Sequence, residues 1–359
     1  MRLRVQGAIA SPPGGYRLYA WFDDPQVAAS PTSVWPELEW QPFGLGWAAW
    51  LPGETLSDCS PPIVEVIQRY DSPLSPWIVR SRQWTWGKRT IVMGVLNVTP
   101  DSFSDGGKYD TRARALTQAR HLVASGADLI DIGGESSRPG AASVPPEEEL
   151  RRVLPAIEAI RAESDIPISI DTTKAMVLEK AIAAGADILN DISAGCFDPD
   201  MLAMAAKLGI PVMLMHMQGT PRTMQRSPTY GDVVDDVYAH LEARIEAAMA
   251  AGIERTNIAI DLGIGFGKTV NHNLDLINNC VQFRSLGVPI FVGVSRKSFI
   301  GAILDRPQPE ERLWGTGAAC SVAIATGSHG IRVHDVAPMK DISRITDAIV
   351  NRTRILPEC

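Results

Sequence analysis

The sequence is poor in the residues that mark several classes of protein. It has five cysteines, scattered without a CxxC pair or histidines at metal-ligand spacing. Such cysteines indicate reduced, incidental thiols and not a disulfide framework or a zinc site. No uninterrupted apolar run approaches about 18 residues, the length of a membrane-spanning helix, and the N-terminal segment has too short an apolar stretch for a signal peptide. We therefore expect a cytoplasmic protein that does not enter a membrane.

The chain also lacks a block of basic residues. It carries 34 Lys and Arg against 41 Asp and Glu, which gives a formal net charge of −7. An acidic chain without a basic stripe attracts neither nucleic acid nor an anionic membrane surface, so we expect neither as a partner. Any anionic ligand must instead be held by a few local cations.

Tryptophan is nearly absent from the larger part of the chain. Eight of the nine tryptophans lie before residue 90, in a proline-rich stretch without a sustained helical or strand period. Within it, Tyr16–Phe22 matches a strand and Val64–Tyr70 a helix. Residues 1–85 are thus an N-terminal extension of uncertain structure, for which three interpretations stay open. It is a small appended domain, a partly ordered arm, or sequence upstream of the true start. We assign it no chemistry.

Residues 86–359 have a different texture, in which apolar runs alternate with helix-like sequence such as Arg112–Ala124 and Asp232–Ala251. Eight strand–helix units of about 30 residues match a (β/α)₈ TIM barrel in number and length. A doubly wound sheet is the alternative, but no GxGxxG turn follows the first strand, and Gly263–Gly267 is only a near match. The predicted strands are Ile91–Leu96, Leu129–Ile132, Ile168–Ile170, Ile188–Leu189, Val212–Met215, Ile258–Ile260, Ile290–Val294 and Ile331–Val333.

Polar residues follow each predicted strand. A single Asp or Asn in that position is more often a helix cap or a turn former. Polar residues at the same end of eight strands instead indicate an active site, because this fold builds its sites from those loops. We expect Glu135 only to anchor its own loop by hydrogen bonds. The other principal residues are Asn97, Asp101, Phe103, Asp105, Ser137, Arg138, Asp171, Asn190, His216, Asp261, Lys268, Lys297, Ser298, Arg332 and His334.

These residues divide into two chemical groups. Carboxylates, an amide and an ammonium can satisfy the edge of a heterocycle that carries amino, ring-nitrogen and carbonyl groups, between apolar side chains. This group is Asp171, Asn190, Asp261 and Lys297, with Met217 and Phe266 as the apolar pair. Arginine forks match phosphate oxygens, and the loops after the seventh and eighth strands often bind phosphate. The anion group is Asn97, Ser137, Arg138, Arg332 and His334. Mg²⁺ needs few protein ligands beside phosphates, and Asn97 and Asp105 can supply them.

Several separated blocks of the sequence resemble the dihydropteroate synthase family. They are MGVLNVTPDSFSDGG, DIGGESSRPGA, SIDTTKA, LNDISAG, MLMHMQGTPRTMQ, GIGFGK, GVSRKSFIG and IRVHDV, in the family's order and spacing from about Trp86 to Leu356. The resemblance implies an enzyme of folate biosynthesis that has a (β/α)₈ barrel fold and is inhibited by sulfonamides. Such an enzyme joins 6-hydroxymethyl-7,8-dihydropterin pyrophosphate to p-aminobenzoate and releases dihydropteroate and pyrophosphate.

The resemblance also implies roles for the matching residues. Those that would bind the pterin are Asp171, Asn190, Met217, Asp261, Phe266 and Lys297. Those that would hold the diphosphate are Asn97, Arg332 and His334, with Mg²⁺ on Asn97 and Asp105. Those that would act catalytically from two mobile loops are Asp101, Phe103, Asp105, Ser137 and Arg138. Ser298 would receive the p-aminobenzoate carboxylate at a helix start. A homodimer is implied as well.

Two positions depart from the family pattern without loss of a functional group. Ser137 stands where threonine is frequent, and Leu262 where proline is common. Two other functions stay open at this point. A pterin-binding methyltransferase on the same scaffold would need no diphosphate site, and a non-enzymatic pterin-binding barrel would show no turnover.

Overall fold

The computed structural model describes residues 2–7, 15–21, 31–43, 46–99 and 108–351. The elements of the N-terminal part are β1 (Arg2–Gly7), β2 (Gly15–Trp21), β3 (Gln41–Phe43), β4 (Gly46–Pro52), α1 (Pro61–Asp71), β5 (Trp77–Val79) and β6 (Arg82–Trp84). The first four strands pair antiparallel in the order β1-β2-β4-β3, and β5 pairs with β6. The strand expected at Tyr16–Phe22 overlaps β2, and the helix expected at Val64–Tyr70 lies within α1.

Eight parallel strands form a closed barrel in which β7 to β14 follow one another and β14 pairs with β7. The strands are β7 (Ile91–Asn97), β8 (Leu129–Gly133), β9 (Ile168–Asp171), β10 (Ile188–Asp191), β11 (Val212–Met215), β12 (Ile258–Asp261), β13 (Ile290–Val292) and β14 (Gly330–Val333). Each contains or overlaps one of the eight predicted apolar runs. The (β/α)₈ prediction is therefore confirmed, and the doubly wound alternative is wrong.

Helices cover the outside of the barrel. They are α2 (Lys108–Ala124), α3 (Pro146–Arg161), α4 (Ala175–Ala184), α5 (Met201–Leu208), α6 (Val233–Ala250), α7 (Val270–Asn278), α8 (Ser298–Leu304), α9 (Leu313–Ala325) and α10 (Val336–Asn351). The helix predicted over 232–251 is α6, which begins after Asp232, whose carboxylate accepts hydrogen bonds from two backbone N–H groups of the first turn. In the described ranges, no helix is both long and apolar enough to span a membrane.

Tryptophans close the barrel interior at the N-terminal end of the strands. Trp77 and Trp84 are each 2% exposed, and Trp86 packs edge-on against Phe291 of β13. The Trp77 Nε1 atom donates to the Thr256 carbonyl oxygen at 2.7 Å. The hairpin β5–β6 thus fills one end of the barrel with aromatic side chains. The opposite end, where the strands reach their carboxyl termini, is called the mouth below.

The four-stranded sheet packs beside the barrel and has its own apolar core with α1. Val5, Leu18 and Ile63 are fully buried there, together with Val281 of the barrel. Arg4 forms a buried ion pair with Asp235 of α6. The described part of the N-terminal extension is therefore a small α+β unit joined to the outside of the barrel.

Candidate active site

Five polar residues from four strands meet inside the mouth. Asp171 ends β9, Asn190 lies in β10, and Arg332 lies in β14. The Arg332 guanidinium donates from Nε to Asp131 Oδ2 at 2.6 Å and from Nη2 to Asp171 Oδ2 at 2.8 Å. Asn190 Nδ2 donates to the same Asp131 oxygen at 3.1 Å, and Ser169 Oγ donates to its other oxygen at 2.6 Å. One carboxylate therefore accepts from three side chains.

Asp131 is the residue that the sequence reasoning missed. It lies within the apolar strand β8 and is completely buried, whereas most of the predicted site residues follow an apolar run. A signal was present, because a charged residue inside a buried strand needs partners. In β8, Ile130 and Ile132 pack outward against the helices, and strand alternation turns Asp131 into the barrel.

The charges in the mouth perturb one another. Burial raises the pKa of Asp171 to about 7, although the Arg332 guanidinium opposes the shift. Burial also lowers the pKa of Lys297 to about 8, and the positive charge of Arg332 adds to the effect. Burial works against the charge of Arg332 itself, yet the carboxylates of Asp131 and Asp171 hold its pKa above the usual value. Such perturbed groups in a cleft are typical of functional sites.

An apolar surface with a cation above it forms another side of the mouth. Phe266 is 7% exposed and clusters with Ile192, Met215 and Met224, and Met217 packs against this group. Lys297 Nζ lies 4.1 Å from the centroid of the Phe266 ring, within cation–π distance. The structure thus brings Met217, Phe266 and Lys297 together, as the sequence predicts.

Asp261 ends β12 and is 8% exposed. Its Oδ1 accepts from the Gly263 N–H at 2.7 Å. Burial raises the pKa of Asp261, against the opposing effects of that hydrogen bond and of Lys297. The carboxylates of Asp171 and Asp261 therefore both lie near cations in a poorly solvated space.

His334 and Asn97 line the rest of the mouth. His334 Nδ1 lies 3.0 Å from Ser295 Oγ, and burial, with the charge of Arg332, lowers the pKa of His334 to about 3. A methyl group added at Gly133 would lie 3.6 Å from Asp171 Oδ2 and 3.7 Å from Asn97 Oδ1. Both oxygens therefore face the same space.

The loop after β8 carries Ser137, which is half-buried, and Arg138, which is exposed. Glu135 accepts from the Val144 N–H at 3.3 Å and pairs with Lys174, which also pairs with the buried Glu149. The expected anchoring role of Glu135 is thereby confirmed. Ser298 is exposed as the first residue of α8.

The first loop lies outside the described residues. It carries three predicted catalytic residues, namely Asp101, Phe103 and Asp105. Among the residues that the structure does describe, no group of three or more His, Cys, Asp or Glu is arranged to hold a metal ion. Asn97 remains as an amide-oxygen donor at the mouth.

The barrel sequence is similar to known proteins. A family model described as "Pterin binding enzyme" matches residues 93–334. The dihydropteroate synthase of Synechocystis sp. is 50% identical over 274 residues, which is 76% of this chain and 95% of the relative. That of Haemophilus influenzae is 46% identical over 260 residues, which is 72% of this chain and 94% of the relative.

The solved structures that resemble this chain are also dihydropteroate synthases. Xanthomonas albilineans dihydropteroate synthase with 4-aminobenzoic acid superimposes with a TM-score of 0.72 at 44% identity, covering 79% of this chain and 99% of that one. The Yersinia pestis enzyme in a sulfonamide complex has a TM-score of 0.73 at 42% identity, covering 77% and 100%. The methyltransferase and non-enzymatic alternatives are thus set aside in favour of a transferase of folate biosynthesis. With these relatives spanning the whole barrel and its polar strand ends, the chain belongs to the dihydropteroate synthase family.

Proposed function

We propose that the mouth of the barrel binds 6-hydroxymethyl-7,8-dihydropterin pyrophosphate and p-aminobenzoate and joins them. The observation that carries this proposal is the convergence of polar side chains inside the mouth, namely Asp171, Asn190, Asp261, Lys297 and Arg332. The Xanthomonas albilineans enzyme in complex with 7,8-dihydropteroate, 41% identical with a TM-score of 0.69, supports the assignment of the reaction product.

The hydrogen-bond pattern of the mouth suits a pterin. Because Asn190 Nδ2 donates to Asp131, its Oδ1 is left to accept from a ligand N–H. The carboxylates of Asp171 and Asp261 accept from the amino group and the ring nitrogens. Lys297 donates to a ring acceptor, and Phe266 and Met217 pack against the flat face. A ligand with this set of donors and acceptors would pair with the polar groups named here and spare them the cost of burial without a partner.

The diphosphate would lie between Arg332, His334 and Asn97. Arg332 uses Nε and Nη2 for Asp131 and Asp171, which leaves Nη1 to donate to a phosphate oxygen. Ser137 and Arg138 would add donors from the loop after β8. The Asn97 amide oxygen fits a hard cation that keeps most of its other ligands from water and phosphate. With Asp105 it would hold Mg²⁺, which neutralises charge on the departing pyrophosphate.

The reaction needs no nucleophilic side chain. As the bond between the pterin methylene carbon and the phosphate oxygen breaks, the electron-rich ring stabilises the cation, and pyrophosphate leaves with the electron pair. The neutral aniline nitrogen then forms the new C–N bond, and its proton would pass to the carboxylate of Asp101 or Asp105. Arg332 stabilises the negative charge on the leaving group. Asp101, Phe103 and Asp105 would exclude water from the cation, and Ser298 would hold the p-aminobenzoate carboxylate.

We further propose a cytoplasmic homodimer that sulfonamides inhibit. Several apolar side chains on α8, α9 and α10 are exposed, including Trp314 at 79% and Ile349 at 71%. These helices are neighbours, and exposed apolar side chains on neighbouring helices mark association sites. Inhibition is proposed because the Yersinia pestis enzyme was solved with a sulfonamide drug.

Calorimetric titration of two ligands tests whether the mouth contains separate sites for the pterin and for the diphosphate. The ligands are 6-hydroxymethyl-7,8-dihydropterin pyrophosphate and its unphosphorylated alcohol. Asp171→Asn should weaken both equally, since a carboxylate acceptor is lost from the pterin side. His334→Ala should weaken the pyrophosphate alone. Equal losses for both ligands in His334→Ala would contradict the assigned diphosphate site, and retained affinity in Asp171→Asn would contradict the pterin site.

A further inference from the structure

A buried lysine lies behind the apolar surface of the mouth and is not among the residues assigned to the substrates. Lys268 follows the GIGFG loop after β12 and is 3% exposed. Its Nζ lies 2.8 Å from His216 Nδ1 at the end of β11, 2.9 Å from the Gly263 oxygen and 3.0 Å from the Phe266 oxygen. The two carbonyl oxygens accept from the Lys268 amino group, and burial lowers the pKa of Lys268 well below its usual value.

We propose that Lys268 is a positioning residue of the pterin site. Its amino group joins the loop after β12 to His216, directly after β11, and it thereby fixes Phe266 and Lys297 where the flat face of the pterin packs. The inference rests on the assignment of the mouth as the pterin site.

The loop after β12 has almost no space in which to shift. Gly263, Gly265 and Gly267 have positive φ angles of 66°, 81° and 62°. A Cβ atom at Gly263 would lie 1.8 Å from the His216 oxygen, and one at Gly267 would lie 2.6 Å from the Gln218 oxygen. The loop therefore lies directly on the backbone that follows β11, a contact that only glycine allows.

The contact with Lys297 is equally close. A Cβ atom at Gly265 would lie 2.9 Å from Lys297 Cδ. The Lys297 stem thus crosses the loop backbone, and its Nζ reaches the Phe266 ring. The Phe266 oxygen is itself one of the acceptors of Lys268. A change in the hydrogen bonds of Lys268 therefore moves the residue that supports Lys297.

Removing the Lys268 amino group would weaken the hydrogen bonding of the loop. The Gly263 and Phe266 oxygens both accept from Lys268, and the Gly263 oxygen also accepts from the Phe266 N–H at 3.0 Å. Loss of the lysine donor therefore leaves the buried Phe266 oxygen the more poorly paired of the two, and the loop would turn this oxygen toward water. Such a turn carries Phe266 away from the position that the pterin requires.

The variant Lys268→Met tests the proposal, because it keeps most of the stem and removes the donors. The probe is 6-hydroxymethyl-7,8-dihydropterin pyrophosphate with Mg²⁺, measured by calorimetry on the full chain and by steady-state kinetics. We expect its Kd and KM to rise about 10- to 100-fold, a typical effect of a small displacement in a site. The KM for p-aminobenzoate and kcat at saturation should change less than about threefold, since binding is lost and not transition-state stabilisation.

Arg161→Met is the matched control. The Arg161 guanidinium is a half-buried cation at the opposite end of the barrel. It likewise donates to carbonyl oxygens, those of Gly185, Ser164 and Ile166 at 2.8–3.0 Å, and it also pairs with Asp187. This variant should lower the melting temperature and leave the affinity for the pterin pyrophosphate unchanged. In a Phe266→Ala background, Lys268→Met should weaken binding by less than about threefold, because residues that act through one another are not additive.

The affinities of these variants distinguish a failure of the Lys268 inference from a failure of the pterin-site assignment. If Asp171→Asn loses affinity and folded Lys268→Met does not, Lys268 has no positioning role and the inference fails alone. If both variants keep full affinity, the pterin site itself is misassigned. If Lys268→Met does not fold, Tyr230→Phe decides, since the Tyr230 hydroxyl donates to the Gly267 oxygen of the same loop at 2.6 Å. Unchanged pterin affinity in Tyr230→Phe would then overturn the inference.

Discussion

Asp131→Ala is the variant for which the structure gives the most definite energetic expectation. Asp131 is completely buried and accepts from Arg332, Asn190 and Ser169. The alanine variant leaves all three donors without this acceptor. Arg332 still has Asp171 at 2.8 Å, so the guanidinium is not entirely unpaired. The variant therefore isolates the contribution of one carboxylate to a shared network.

The cost can be worked out from these contacts. Removing one partner of a buried ion pair costs about 3–5 kcal/mol. We take the lower end of that range for two reasons. The Arg332 guanidinium keeps its ion pair with Asp171, and the pKa of Asp171 falls once the Asp131 charge is gone, which favours the charged form of Asp171. The free energy of unfolding should fall by about 3 kcal/mol, and the melting temperature should fall by roughly 5 °C or more.

Two measurements check this expectation. Denaturant unfolding gives the free energy, and calorimetry gives the affinity for the dihydropterin pyrophosphate, which should also fall because the Asn190 amide is no longer oriented. Asp131→Asn is the control, since its amide oxygen can still accept from Arg332 and Asn190. An alanine variant as stable as the parent protein would refute the reasoning, because Arg332 would then have no need of Asp131.

Three further expectations concern pH, the closed end of the barrel and association. The affinity for the pterin pyrophosphate should be greatest between about pH 7 and pH 8. Asp171, with its pKa raised to about 7, must lose its proton to accept from the ligand, and Lys297, with its pKa lowered to about 8, must keep its proton to donate. A flat affinity profile from pH 6 to 9 would contradict these assignments. Trp77→Ala should lower the free energy of unfolding by about 3–5 kcal/mol and leave the KM values of both substrates unchanged, since Trp77 is 2% exposed at the end of the barrel away from the mouth. Denaturant titration measures the free energy, and steady-state kinetics measures the KM values. Trp314→Glu should shift the mass found by light scattering from dimer to monomer, and an unchanged mass would exclude α9 from the interface.

The sequence predicts the barrel well because its strands are buried on both faces. Parallel strands covered by helices appear as short continuous apolar runs, and eight of these at regular spacing leave few alternatives. The residues at the strand ends were also identifiable, since polar groups directly after such runs face one end of the barrel. Asp171, Asn190 and Arg332 were found in this way and do meet in the structure.

Other features depend on contacts that sequence patterns do not carry. Asp131 stands in the middle of an apolar strand, and only the alternation of side chains in the folded barrel shows that it faces Arg332. Trp77, Trp84 and Trp86 show no sequence period because they pack as a cluster on the barrel interior, whereas Trp35 and Trp40 pack in the core of the N-terminal sheet. The role of Lys268 also depends on contacts that a sequence pattern does not show, since its hydrogen-bond partners come from two different loops.

A condensation assay shows directly whether this chain joins the two substrates at the mouth of the barrel. The purified protein is incubated with 6-hydroxymethyl-7,8-dihydropterin pyrophosphate, p-aminobenzoate and Mg²⁺, and dihydropteroate and pyrophosphate are measured together, beside the Asp171→Asn variant. We predict equal amounts of the two products from the parent protein and a severe loss of turnover in the variant. Equal turnover by both proteins, or no product from folded parent protein that binds the pterin, would contradict this prediction.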